Sequence, residues 1–238
     1  MKKTITILAT SLACTISAQA VVIAEDNFDS YTATEDVGGQ TGGSGWAGAW
    51  SGGGGDFVVT AGEALARGAS LNERDFSGGV VTVGTNDTLI IDFTLIRNEG
   101  QSGRGIGIQL LDGAGFSYFI GKRQNGTVGL HITGTTNATG SNLINFASSG
   151  ALEDIKAIIT YDGANTSIKL EDSNETGLAP FVFAGQLNVD GIGIQSLHNS
   201  TLTNGIDNIS VDLTTVPEPS SAALLGLGCL ALVFRRRH

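Results

Sequence analysis

The sequence predicts an all-β protein, an antiparallel β-sandwich set between two apolar ends. Three observations predict it. No apolar stripe at 3.6-residue spacing runs beyond two turns. Short runs rich in Val, Ile, Thr and Phe recur between clusters of Gly, Asn, Asp, Ser and Thr. Two of the junctions contain Asp-Gly and Asn-Gly, pairs that favour tight hairpins because they tolerate a left-handed backbone.

The elements follow in chain order. Lys2 and Lys3 give a positive start, and the mostly apolar stretch from Ile5 to Ile16 is short for a bilayer, which takes about 20 residues. Ala18-Gln19-Ala20 offers small residues at the two positions that signal peptidase reads. Residues 1–20 therefore read as a signal helix removed after Ala20. A lipoprotein reading would use Cys14, but the apolar stretch ahead of it is very short and Ser11 stands where leucine is usual.

Residues 21–214 read as the sandwich. Strands are expected at Phe57–Thr60, Thr88–Leu95, Gly105–Leu111, Phe116–Gly121, Thr127–Ile132, Asp154–Tyr161, Thr166–Glu171, Asp190–Ser196 and Ile206–Leu213. Ile155–Tyr161 should fold back onto Thr166–Leu170 through Asp162-Gly163, and Phe116–Lys122 onto Thr127–Ile132 through Asn125-Gly126. The motif Gly-Ile-Gly-Ile-Gln begins at both Gly105 and Gly191. Alternation puts isoleucine on one face for the core. It leaves glycine on the other, where a neighbouring strand, a loop or a glycan can come close to the backbone.

Composition bounds the function. Both cysteines, Cys14 and Cys229, lie in the apolar ends, so the central domain has no disulfide and no thiol chemistry. Residues 21–218 carry 8 basic against 23 acidic residues, a net charge of −15, which disfavours nucleic acid and anionic membrane surfaces as partners. No Gly-x-Ser-x-Gly elbow occurs, and His131 and His198 are the only histidines before the terminal His238, so neither a nucleophile triad nor a zinc cluster assembles. Trp46 and Trp50 flank a glycine-rich loop. Exposed, they would stack on sugar rings; buried, they would staple the loop to the core.

The C-terminal end has three parts. Pro217-Glu218-Pro219 holds an extended segment that cannot join a sheet or extend a helix. An unbroken apolar or glycine run from Ala222 to Phe234 follows, then Arg235, Arg236 and Arg237, which should stay on the cytoplasmic side. This order resembles the PEP-CTERM sorting signal of Gram-negative bacteria. The resemblance covers residues 215–238 and implies a short transmembrane helix, transient anchoring in the inner membrane, and processing by an exosortase near Pro217-Glu218-Pro219. The protein would then reach the cell surface or the extracellular space.

The central domain carries a second resemblance. Glu25–Tyr31, Gly42–Trp50, Thr160-Tyr161-Asp162 with Ser167–Leu170, and Gly205–Val211 look like the opening, penultimate hairpin and last strand of exported concanavalin A-like and laminin-G-like domains. That resemblance implies a jelly roll with its first and last strands side by side. It also implies that Glu25, Asp26 and Asp207 could converge on a structural Ca2+. The retaining-glycosidase pattern Glu-x-Asp-x-x-Glu is absent, so an enzyme is not expected. The readings of function, in order of preference, are three: a structural or exopolysaccharide- and biofilm-associated surface component, a calcium-dependent lectin-like module, and a divergent glycan hydrolase or lyase.

Overall fold

The computed structural model describes residues 18–52, 57–97, 105–113, 117–122, 127–133, 139–145, 152–172, 179–196 and 204–216. No helix occurs among the described residues, and none there is long and apolar enough to cross a membrane. Residues 1–17 of the expected signal helix, the expected transmembrane helix, and the residues Pro217, Glu218, Pro219 and Arg235 to Arg237 lie outside them; the last residues of the expected signal helix, Gln19 and Ala20, open a β-strand instead. Ala20–Thr215 forms one compact unit.

The strands in chain order are β1 (Gln19–Asp26), β2 (Trp46–Ala47), β3 (Phe57–Thr60), β4 (Glu63–Ala66), β5 (Ser70–Phe76), β6 (Val81–Thr82), β7 (Asp87–Arg97), β8 (Ile106–Leu111) and β9 (Ser117–Lys122). There follow β10 (Thr127–Thr133), β11 (Thr139–Asn145), β12 (Leu152–Tyr161), β13 (Asn165–Asp172), β14 (Phe181–Ala184), β15 (Asn188–Val189), β16 (Gly191–Ser196) and β17 (Asn204–Thr215). An eight-stranded sheet runs β14-β13-β12-β7-β17-β4-β3, with β1 also pairing β17. A seven-stranded sheet runs β11-β10-β9-β8-β16-β5-β2, and β15 pairs β6 in a small third sheet.

Alternation explains the layering. Leu89, Ile91, Phe93 and Leu95 of β7 point inward, as do Ile155, Ala157 and Ile159 of β12. They meet Ile106, Ile108 and Leu110 of β8 and Ile192 and Ile194 of β16 in one core cluster. Each fully buried Ile, Leu or Phe in such a layer contributes about 1.5–3 kcal/mol of transfer free energy.

One expected hairpin forms, and the strands of the other pair as expected. β12 and β13 pair from Ile155↔Asp172 to Tyr161↔Thr166. At the turn, Asp162 Oδ1 accepts the amides of Ala164 at 2.8 Å and Asn165 at 2.6 Å, and these bonds hold its carboxyl below the usual range. β9 pairs β10 from Lys122↔Val128 to Ser117↔Thr133, while the expected turn at Asn125-Gly126 falls outside the described residues.

The two Gly-Ile-Gly-Ile-Gln motifs turn out to be neighbours. β8 and β16 pair antiparallel with Ile108 opposite Ile194 and Gln109 opposite Gly193. The glycine face is filled by the sheet itself. A Cβ on Gly107 would stand 2.6 Å from Gly121 Cα, its register partner on β9, so these two strands can approach only as glycine against glycine.

β5 was not expected from the sequence. Its inward positions are Asn72, Arg74 and Phe76, so polar side chains break the apolar alternation that would have marked it.

Candidate functional site

Of the expected processing positions, Ala18 and Ala20 are among the described residues. Ala18 and Ala20 are exposed, and Ala20 belongs to β1. Val21 and Val22 are also exposed, at 47% and 54%. β17 ends at Thr215, and Val216 is exposed next to the proline motif.

At the far end of β1, Asp26 anchors a buried polar knot. Its side chain is fully buried and lies 3.2 Å from the Arg74 guanidinium of β5. Tyr31 Oη and Trp50 Nε1 donate to the same carboxylate oxygen, and the Phe28 amide donates to the other at 3.0 Å. Arg74 also donates to the carbonyls of Gly42 at 2.7 Å and Gly48 at 2.9 Å, tying down the loop between β1 and β2. Burial, followed by the adjacent Asp26 carboxylate, pushes the Tyr31 hydroxyl above its ordinary value. The loop reaches this position because Gly45 takes φ +79°, where a Cβ would lie 2.7 Å from Ala24 Cα.

Both tryptophans are buried in this knot, Trp46 at 8% and Trp50 at 2% exposure. Trp46 donates its Nε1–H to the Glu25 carbonyl at 2.9 Å and packs 5.6 Å from Trp50 and 5.7 Å from Phe76. The Arg74 guanidinium lies 5.5 Å and 5.8 Å from the two ring centroids. These rings staple the loop; stacking on a sugar would require it to open.

The expected calcium ligands do not gather. Asp26 is turned inward and engaged by Arg74, Tyr31, Trp50 and Phe28. Glu25 accepts from the Ser44 hydroxyl at 3.2 Å, and its backbone bridges Ser44. Asp207 stands in other company. Burial raises its carboxyl to about 6, with Glu63 and Asp29 adding more than Asp26. Among the described residues no group of three or more His, Cys, Asp or Glu side chains is arranged to hold a metal ion. The residues present do not fit calcium, because the most buried carboxylate is already neutralised by a guanidinium.

The outer face of the eight-stranded sheet holds polar groups that the sequence did not single out. Opposite β7, Asp207 pairs with Thr94 and Ser210 with Asp92, so Asn208 and Ile209 together oppose Phe93. This is a β-bulge, and Asn208 takes φ 50° within it. Ile209 drops into the core while Asn208 stands out as a ridge. A hollow of about 540 Å³ on one side is lined by Asp92, Thr94, Asp154, Lys156, Glu171 and Asn208. A second of about 310 Å³ lies on the other side, with Glu25, Asn27, Gly43 and Ser210 among its lining. Thr94 donates to Asp154 Oδ1 at 2.7 Å, and Asn208 Nδ2 reaches Thr94 Oγ1 at 3.5 Å and Asp207 Oδ2 at 3.0 Å. Lys156 Nζ stands 3.7 Å from Asp92. Burial raises the Asp92 carboxyl; Lys156 opposes the shift, and Asp212 and Asp154 add to it.

Beyond the last strand of this all-β chain comes the segment that carries its second signature. Residues 215–237 match the PEP-CTERM protein-sorting motif. The motif marks an exported protein, processed by an exosortase for delivery to the cell surface. No curated protein matches the sequence.

Solved structures match the chain as a whole at low identity. An endo-1,3-beta-glucanase from Streptomyces sioyaensis is 10% identical with a TM-score of 0.49, over 83% of this chain and 97% of that one. Arcelin-5, a lectin-like defense protein from Phaseolus vulgaris, is 12% identical at 0.48, over 83% and 98%. The exoplasmic/lumenal domain of VIP36, in a Ca2+/Man-bound form, is 11% identical at 0.46, over 76% and 88%. These neighbours are concanavalin A-like jelly rolls.

Proposed function

We propose that an exosortase cuts this protein near Pro217-Glu218-Pro219 after signal peptidase has cut after Ala20. The sandwich of residues 21–214 then serves outside the cell as a non-catalytic component of the exopolysaccharide or biofilm matrix. The observation that carries this reading is the sorting motif at residues 215–237, which begins where β17 ends. β17 ends at Thr215, so the proline segment follows the last strand directly in sequence, and its two prolines keep it from extending that strand.

The surface chemistry supports the destination. A net charge of −15 over residues 21–218 keeps the domain soluble among neutral polysaccharides and away from anionic lipid. The test is to replace Pro217, Glu218 and Pro219 together by alanine in the native host. The expected result is a protein held in the inner-membrane fraction with its tail intact. Delivery to the surface unchanged from wild type overturns the reading.

A further inference from the structure

The two hollows flanking Asn208 span β13, β12, β7, β17 and β1, successive neighbours in the sheet, as a groove interrupted by the Asn208 ridge. Neighbouring strands lie about 4.8 Å apart, so the groove crosses about 19 Å of sheet. That length suits several sugar rings in a row rather than one small molecule. The bulge shapes it: without the extra residue, β17 would continue flat against β7 and no ridge would separate the two depressions.

The floor is neither apolar nor of one charge. Hydroxyl, amide, ammonium and carboxylate groups alternate along it, from Glu171 and Lys156 through Asp154, Thr94 and Asp92 to Asn208 and Ser210. The Asp154–Thr94–Asn208–Asp207 hydrogen-bond chain fixes the side chains before any ligand arrives, which lowers the entropic cost of binding. Carboxylates and the Asn208 Oδ1 accept hydroxyl hydrogens, while Lys156 donates to hydroxyl or ring oxygens. The first hollow carries three carboxylates, Asp92, Asp154 and Glu171, against Lys156 in its lining and Lys169, which pairs with Glu171 at 2.6 Å, so the balance stays negative and disfavours a polyanionic chain. Phe93, the aromatic residue beneath it, is only 2% exposed and faces the core, so hydrogen bonding rather than ring stacking would hold the ligand.

We propose that this groove binds a neutral polysaccharide chain laid across the strands over Asn208. The proposal rests on the matrix reading above and gives it a site, a ligand class and a face of the sandwich.

The exported protein, isolated from its host, is titrated with cellohexaose, laminarihexaose, chitohexaose and oligogalacturonate by calorimetry. Hydrogen exchange then maps the bound face. At least one neutral hexaose is expected to bind and to slow exchange in β7, β12 and β17, with oligogalacturonate at least tenfold weaker. Thr94→Val and Asp154→Asn are each expected to weaken binding about tenfold, with melting temperature lowered by no more than the few degrees that lost internal hydrogen bonds cost. The proposal is overturned if no neutral hexaose binds, if both variants bind as wild type, or if protection falls on the opposite sheet around Gln109 and Gln195. Mass spectrometry of the same sample separates the two claims. Failure to bind by a correctly cut protein removes the groove alone, whereas a retained tail removes the sorting reading.

Discussion

Replacing Arg74 by methionine tests the buried knot that positions the loop between β1 and β2. Methionine keeps the aliphatic volume and removes the guanidinium. The side chains of Arg74 and Asp26 are 3% and 0% exposed, so the substitution strands a carboxylate in the interior. Breaking a buried ion pair by removing one partner costs about 3–5 kcal/mol. The carbonyls of Gly42 and Gly48 also lose a donor, at about 1 kcal/mol each. Three donors remain on Asp26, from Tyr31, Trp50 and Phe28, and they offset part of this loss. The net expectation is about 4 kcal/mol. With a urea dependence of about 2–3 kcal/mol per molar, the unfolding midpoint should fall by about 1.5–2 M. Tryptophan fluorescence reports the transition directly, since Trp46 and Trp50 both pack around the lost group. A midpoint shift below about 0.4 M, which is about 1 kcal/mol, would refute the claim that this pair holds the loop.

Three further outcomes follow from other sites. Asp207→Asn should raise the melting temperature at pH 8, because the carboxyl's folded value near 6 lies above its ordinary 3.8 and its ionisation therefore costs stability above pH 6. The advantage over wild type should shrink as pH falls through 6 and vanish below 3.8; a constant difference across that range contradicts the assignment. Gly107→Ala should destabilise by about 1–3 kcal/mol, since its Cβ would meet Gly121 Cα on the paired strand, and a denaturant midpoint equal to wild type excludes that close approach. Gly163→Ala, at φ +97° in the β12–β13 turn, should cost about 1 kcal/mol or more, read as a fall of about 2–4 °C per kcal/mol in thermal melting.

What the sequence showed depended on whether neighbouring residues carried the signal. The β12–β13 hairpin was legible because alternation and Asp162-Gly163 lie within one short stretch. β8 and β16 were each legible, yet their pairing was not, because nothing in two similar segments 86 positions apart says that they touch. β5 was hidden by its inward Asn72 and Arg74, a polar pair that only tertiary contacts explain. Asp26 stood out as an acid, but its partner Arg74 lies 48 positions away, and without that partner a cation site was the natural reading. Thr94, Asp154 and Asn208 each lie on or beside expected strands, on the outward positions. Only the order β12-β7-β17 brings them together, and only the bulge turns Asn208 outward. The C-terminal segment is the opposite case. Its information is the linear order of proline motif, apolar run and arginines, so it was readable without any fold.

The most direct test of the account is intact mass and terminal sequencing of the protein recovered from the surface of its native host. The expected product has its N-terminus at Val21 and its C-terminus within or beside Pro217-Glu218-Pro219, with the run from Ala222 to Phe234 and Arg235 to Arg237 gone. A surface-located protein that still carries Leu224 to Phe234 would contradict it.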